Sequence, residues 1–148
     1  MNILTRRNFL QISAAGMLAS VPGTALAGAS RKPRIKIGQI GTGHAHASGK
    51  MEAIRASEDW EVIGIVEPDP KLRERAEQAK AYAGLTWMTE EQLLNTPGLH
   101  AVAVETEVKD LVPTATRCVA AGKHIHLDKP GGESFPEFKA MIADAARQ

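Results

Sequence analysis

From Arg34 onward one pattern recurs five times: a short strand-like apolar run, then a stretch with apolar residues at helical spacing. "RIKIGQI" (34–40) precedes Ala47, Met51 and Ile54. "EVIGIVE" (61–67) stops at Pro68-Asp69-Pro70 and precedes Leu72, Ala76, Ala79 and Ala83. "LTWM" (85–88) precedes a short helix opened by the capping-box pair Thr89 and Gln92. "HAVAVE" (100–105) reads as a strand buried on both faces and precedes Val112, Ala115 and Val119, with Gly122 as the stop. "HIHLD" (124–128) precedes a last helix, with Ser134 and Glu137 as its capping box and Phe135, Phe138, Met141, Ile142 and Ala145 on one face.

Strands that alternate with helices have to run parallel, joined by right-handed crossovers. The expected fold is therefore α/β, a doubly wound parallel sheet of the Rossmann type over residues 34–148. Such a sheet binds ligands beyond the carboxyl ends of its strands, at the switch point beside the first.

The first 27 residues follow other rules. Arg6 and Arg7 stand before "FLQISAAGMLASVPGTALA", a weakly apolar stretch that ends in a small-x-small cleavage pattern. This reads as a twin-arginine export signal cut after Ala27, followed by a flexible lead-in at 28–33 and implying a periplasmic destination. Ser, Gly, Thr and Pro interrupt the apolar run, so no stable membrane span is expected. The twin-arginine route carries folded proteins, which suits a protein that binds its cofactor before export. A net charge of +1 without a basic stripe argues against nucleic acid as a partner. A single cysteine excludes an internal disulfide and any zinc site built from several cysteines. Cys118 reads as a small core residue.

Gly41-Thr42-Gly43-His44 lies where the first strand meets the first helix. Gly41 can take the tight turn, Gly43 lets backbone approach a pyrophosphate, and the helix end behind them offers N–H groups and a positive dipole. The third position of G-x-G-x-x-G is His46, so that side chain has to point outward or the helix has to start displaced. Glu67 ends the second strand, 24 residues beyond Gly43. An acid there can accept from both adenosine ribose hydroxyls and repels a 2′-phosphate, so NAD is expected over NADP. A solvated strand-end acid is the alternative for Glu67. His124, His126 and Asp128 share one strand face. Imidazole and carboxylate suit zinc or iron, but no metal site is expected: His44 and His46 line the cofactor loop and His124 begins a strand.

"AAGKHIHLDKP" (120–130) closely resembles the E-A-G-K-H-V-x-x-E-K-P stretch of the glucose–fructose oxidoreductase / inositol dehydrogenase / MocA family. "IGQIGTG", "VIGIVEPDP" and "HAVAVET" precede it in the same order, so the resemblance runs from Lys36 to the C-terminus. It implies an NAD- or NADP-binding domain to which a second domain adds the sugar or polyol site. Gly41 and Gly43 match the pyrophosphate loop and Glu67 the ribose-binding acid. Thr106 matches the Ser/Thr beside the nicotinamide half. Lys129 matches the lysine that orients the reacting hydroxyl and steadies oxyanion charge. Asp128 stands where the family has Glu. Glu107, Val108, Lys109, Asp110 and Leu111 replace the common P-N-x-x-H, and a Glu107 carboxylate near the phosphates would weaken binding unless it points to solvent.

The expected function is the nicotinamide-cofactor part of an exported oxidoreductase acting on a sugar or polyol. The chain ends after the helix that follows D-K-P, so it reads as truncated and inactive alone, the substrate entering only with a further domain. The alternatives are a non-catalytic exported NAD-binding module, a subunit completed by a partner chain, and an NAD-dependent glycosidase relative. An uncovered sheet surface also favours self-association into a homo-oligomer.

Overall fold

A computed structural model describes residues 32–148. The export signal (1–27) and most of the lead-in lie outside the described residues. The elements run β1 (Ile35–Ile40), α1 (Ala47–Ala56), β2 (Trp60–Val66), α2 (Pro70–Glu77), a 3₁₀ turn at Lys80–Tyr82, α3 (Glu90–Leu94), β3 (Ala101–Val104), α4 (Val108–Ala120), β4 (His124–Leu127) and α5 (Phe135–Ala145). All strand pairs are parallel and the sheet order is β2-β1-β3-β4, so the switch point falls between β1 and β3. No helix among the described residues is long and apolar enough to cross a membrane.

The alternating strand residues feed two cores. On one face Ile40, Val66, Val102 and Val104 meet Leu111, Ala115, Cys118 and Val119 of α4 and Met141 of α5. On the other, Ile65 packs with Met51 of α1, Ala76 of α2, Ala81 and Tyr82. A helical layer on each face is what makes the sheet doubly wound. Cys118 is fully buried, and burial pushes its thiol up to about 12. Gly38 sits inside β1 because a Cβ there would come 2.6 Å from Leu93 Cδ1, so its bare backbone lets α3 lie on the sheet.

Three local expectations are corrected. The third strand, Leu85–Met88, is a single bridge from Trp87 to Ile65, so the sheet has four strands and not five. The segment is only four residues long, and Thr89 already turns the chain into α3: its hydroxyl accepts from Gln92 N–H (3.1 Å) while Gln92 Oε1 accepts from Thr89 N–H (2.8 Å). The second helix stops at Glu77, short of Ala79 and Ala83, and a tighter i→i+3 turn follows. That turn brings Ala81 and Tyr82 into the core, which a continued helix would carry past it. Ser134 caps α5 weakly, accepting from Glu137 N–H at 3.5 Å, and among the described residues Glu137 makes no return bond.

Candidate functional site

Gly41 leaves β1 with φ +92°, a conformation that suits glycine. Its N–H donates to Val66 O at 2.7 Å, and a Cβ on it would lie 2.5 Å from Thr106 N. The glycine loop is thus pressed onto the connection between β3 and α4, and His44 N–H donates to Glu105 O at 3.0 Å. Glu67, at the end of β2, clamps the loop from the other side. Its Oε2 accepts from Thr42 N–H (2.6 Å) and from the Thr42 hydroxyl (2.7 Å), and its Oε1 accepts from Asp69 N–H (3.0 Å).

Between these loops lies a cleft of about 280 Å³, bounded by Gly43, Glu67, Thr106, Glu107 and the first turns of α4. Glu67, Asp69, Glu90, Glu107 and Asp110 bring five carboxylates to its lining, against the two cations Lys109 and Arg117. Both cations are already paired. Arg117 grips Glu90 at 2.5 and 2.9 Å, and Lys109 sits 3.0 Å from Glu107. Glu107 is half-exposed and turned onto the first turn of its own helix. Thr106 Oγ1 is buried and has no hydrogen-bond partner among the described residues.

His46 points outward, with its side chain 49% exposed, and it is the residue just before α1. Ala47, 1% exposed, is the small residue that meets the sheet. His46 makes no side-chain cap and the first turn of α1 carries no acid of its own.

Beside the loop is a cluster that assembles from four segments. Val104 and Leu127 are register partners, which places the next residues, Glu105 and Asp128, side by side at the carboxyl edge of the sheet. Lys50, one helical turn after His46, reaches both: Nζ is 2.8 Å from Asp128 Oδ2 and 3.0 Å from Glu105 Oε1. The contact to Glu105 is poorly aligned, and neither oxygen of this fully buried carboxylate has a hydrogen-bond partner among the described residues. Burial pushes Glu105 above the usual carboxylate range, and the Lys50 ammonium offsets only part of this. For Asp128 burial acts the same way, but the hydrogen bonds from Lys50, Lys129 N–H and His46 outweigh it and hold the group well below that range. Burial alone would lower Lys50, and the two carboxylates reverse this and raise it.

His44 Nε2 lies 2.9 Å from Lys129 O, and His44 Nδ1 accepts from His46 N–H at 3.2 Å. His46 Nδ1 faces Asp128 Oδ2 at 3.2 Å. Lys129 precedes a cis Pro130, is exposed, and its ammonium has no partner among the described residues. His124 and His126, which share a strand face with Asp128, are both exposed, and the imidazoles that meet Asp128 are His44 and His46. Lys50 and Glu105 were not among the expected site residues. The signal was present: two apolar strands each end in an acid, and a lysine stands four residues after His46.

A sequence profile described as an oxidoreductase family with an NAD-binding Rossmann fold matches residues 35–148. No curated protein matches the chain. Among solved structures, the 3-ketoreductase KijD10 of Actinomadura kijaniata, in complex with TDP-benzene and NADP, is 23% identical (TM-score 0.65) over 78% of this chain and 36% of its own. The WlbA dehydrogenase of Bordetella pertussis, in complex with NADH and UDP-GlcNAcA, is 20% identical (TM-score 0.65) over 78% of this chain and 35% of its own. An NAD-binding protein of Listeria innocua is 24% identical (TM-score 0.66), over 78% and 33%. The chain spans about a third of the length of these structural relatives. With a parallel sheet, a glycine loop at its switch point and a family match over residues 35–148, the chain belongs to the Gfo/Idh/MocA oxidoreductase family through its NAD-binding Rossmann domain.

Proposed function

We propose that the cleft binds a nicotinamide dinucleotide, NAD in preference to NADP, and that the chain supplies the cofactor-binding part of an exported oxidoreductase acting on a sugar or polyol. The observation that carries this reading is the Glu67 clamp. A carboxylate has about four acceptor sites. Thr42 and Asp69 use three, so one remains for an adenosine ribose hydroxyl, where the sequence alone suggested two. Glu67 then holds the loop and reads the ribose with the same group. Gly41, Thr42, Gly43 and His44 line the pyrophosphate path, which ends on the uncapped start of α1. Five carboxylates with both nearby cations paired leave nothing to receive a 2′-phosphate, although one structural relative carries NADP and another NADH.

Bound dinucleotide supplies the hydride acceptor or donor. The chain's own residues position the reaction. The buried Thr106 hydroxyl stands ready to donate toward the nicotinamide half. Asp128 holds the backbone N–H of Lys129 at 2.7 Å, which sets the base of that side chain. The unpaired Lys129 ammonium can then orient a substrate hydroxyl and steady negative charge as it develops. The sugar nucleotide UDP-GlcNAcA bound to one structural relative supports a sugar-class substrate.

Calorimetric titration of the purified chain with NAD and NADP tests the reading. NAD should bind, and NADP at least tenfold more weakly, since like charges left facing each other at a partly buried site cost ~1.4 kcal/mol or more. Binding of neither would sink it. Export is tested separately. Arg6→Lys with Arg7→Lys should leave the precursor in the cytoplasm, and normal export of the double variant would remove the twin-arginine signal.

A further inference from the structure

The spacing of the sequence draws attention to His124, His126 and Asp128, but folding gathers a different set. One ligand atom from each of His44, His46 and Asp128 lies within 4.8 Å of the others. The two histidine–aspartate separations are those of ligands around one ion. His46 Nδ1 to Asp128 Oδ2 is 3.2 Å, and His44 Nδ1 to Asp128 Oδ2 is 3.5 Å. With zinc–ligand bonds of about 2.0–2.2 Å, the edges of a tetrahedron are about 3.3–3.6 Å.

We propose that His44, His46 and Asp128 form a binding site for a divalent transition-metal ion of the zinc class, with the fourth position open to water or to an oxygen of a bound ligand.

Three independent features support it. First, the supporting bonds are those of a ligand set. His44 Nε2–H donates to Lys129 O, which fixes the tautomer whose Nδ1 lone pair faces the cluster. Asp128 is braced by Lys129 N–H and by Lys50. Second, Glu105 is fully buried, its oxygens have no hydrogen-bond partner among the described residues, and its Oε2 lies 3.8 Å from His44 Nδ1. Two carboxylates against the single ammonium of Lys50 leave an unbalanced negative charge where a cation would sit. Third, His46 is half-exposed, so the site opens to solvent, as an ion with an open position requires. An ion there replaces the 3.2 Å bond from His46 N–H to His44 Nδ1 and the His46 Nδ1–Asp128 hydrogen bond, and it moves the Lys50 ammonium, 2.8 Å away, off Asp128 Oδ2. Two imidazoles and a carboxylate suit zinc or iron(II) over calcium or magnesium.

The test uses the full chain, stripped with chelator and titrated with Zn²⁺ by calorimetry and with Co²⁺ by visible absorption. One ion per chain should bind, and Co²⁺ should show the intense d–d absorption of a four-coordinate site. His46→Ala, at a half-exposed position, should weaken binding at least ~tenfold, and so should Asp128→Asn. His124→Ala, on the same edge of the sheet but outside the set, should change nothing. Circular dichroism confirms that each variant is folded. If Asp128→Asn does not fold, His46→Ala decides alone. Binding of less than one ion per wild-type chain overturns the proposal, as does a folded His46→Ala variant that binds like wild type. A loss in His124→Ala equal to that in His46→Ala overturns it too. NAD titration of the metal-free chain reports on the dinucleotide reading independently.

Discussion

Replacing Glu67 with Ala removes one side chain and two functions. The carboxylate is 7% exposed and accepts three bonds, at 2.6, 2.7 and 3.0 Å, two of them from backbone N–H groups. A hydrogen bond to a charged group contributes about 1.5–3 kcal/mol. The three are not additive, because water entering the space left behind re-solvates part of what is freed. A net loss of about 3 kcal/mol is reasonable. For a domain of this size that corresponds to a fall in Tm of roughly 10–15 °C. NAD affinity should fall tenfold or more, since the one remaining acceptor site is worth about 1.5–3 kcal/mol. Thr42→Val separates the two functions. It removes the hydroxyl bond and keeps the backbone bond, so stability should fall by only about 1–1.5 kcal/mol. It also frees an acceptor site on Glu67, so NAD should bind at least as tightly as to wild type. Thermal unfolding followed by circular dichroism gives the first quantity and calorimetric titration the second. A Glu67→Ala variant with unchanged Tm would refute the clamp. Equal loss of NAD affinity in both variants would refute the shared-carboxylate argument.

Gly41→Ala should cost about 2–4 kcal/mol, because the new Cβ meets backbone of Thr106 and Glu105 at 2.5–2.7 Å and the residue must hold φ +92°; chemical denaturation measures it, and a change below ~0.5 kcal/mol would contradict the packing. Asp69 caps α2 by accepting from Lys71 and Leu72 N–H at 2.8 and 3.0 Å, and these bonds hold its carboxyl below the ordinary range. A depressed acid stabilises the fold above its unfolded value of 3.8 and ceases to as pH falls through the folded value. Asp69→Ala should therefore lower Tm at pH 7, with the gap to wild type closing below about pH 4; a gap constant with pH would rule the cap out as its source. Lys129→Ala should leave NAD affinity within about twofold, since its ammonium is assigned to substrate, and a large loss would move Lys129 to the cofactor. The Cys118 thiol, buried and pushed up to about 12, should resist a disulfide reagent at pH 8 until the chain unfolds; prompt labelling would show that α4 opens.

The sequence by itself determined most of what depends on neighbours a few residues apart, though the return bond expected of Glu137 to Ser134 does not form. The 3.6-residue stripe of Val112, Ala115 and Val119 gives α4, the Thr89–Gln92 pair starts α3, and Gly41 turns out of β1 into the loop. Those local rules, taken in order, imply a parallel doubly wound sheet and put Gly41 beside Glu67. They overreach where tertiary contact decides an ending. Leu85–Met88 looks like a strand, but it is an edge segment that Thr89 pulls away after one bridge. Ala79 and Ala83 keep helical spacing, but burial of Tyr82 ends the helix before them. The strand-end acids and the lysine of the charged cluster can be read in the sequence, but their meeting belongs to tertiary structure. Glu105 and Asp128 are 23 positions apart and Lys50 is 55 and 78 from them, and only the pairing of Val104 with Leu127 beneath the start of α1 brings them together. Strand register is a long-range property, set by packing of both sheet faces at once. The meeting of His44 and His46 with Asp128, and the burial of Glu105 without a matched partner, therefore follow from the fold and from no local spacing.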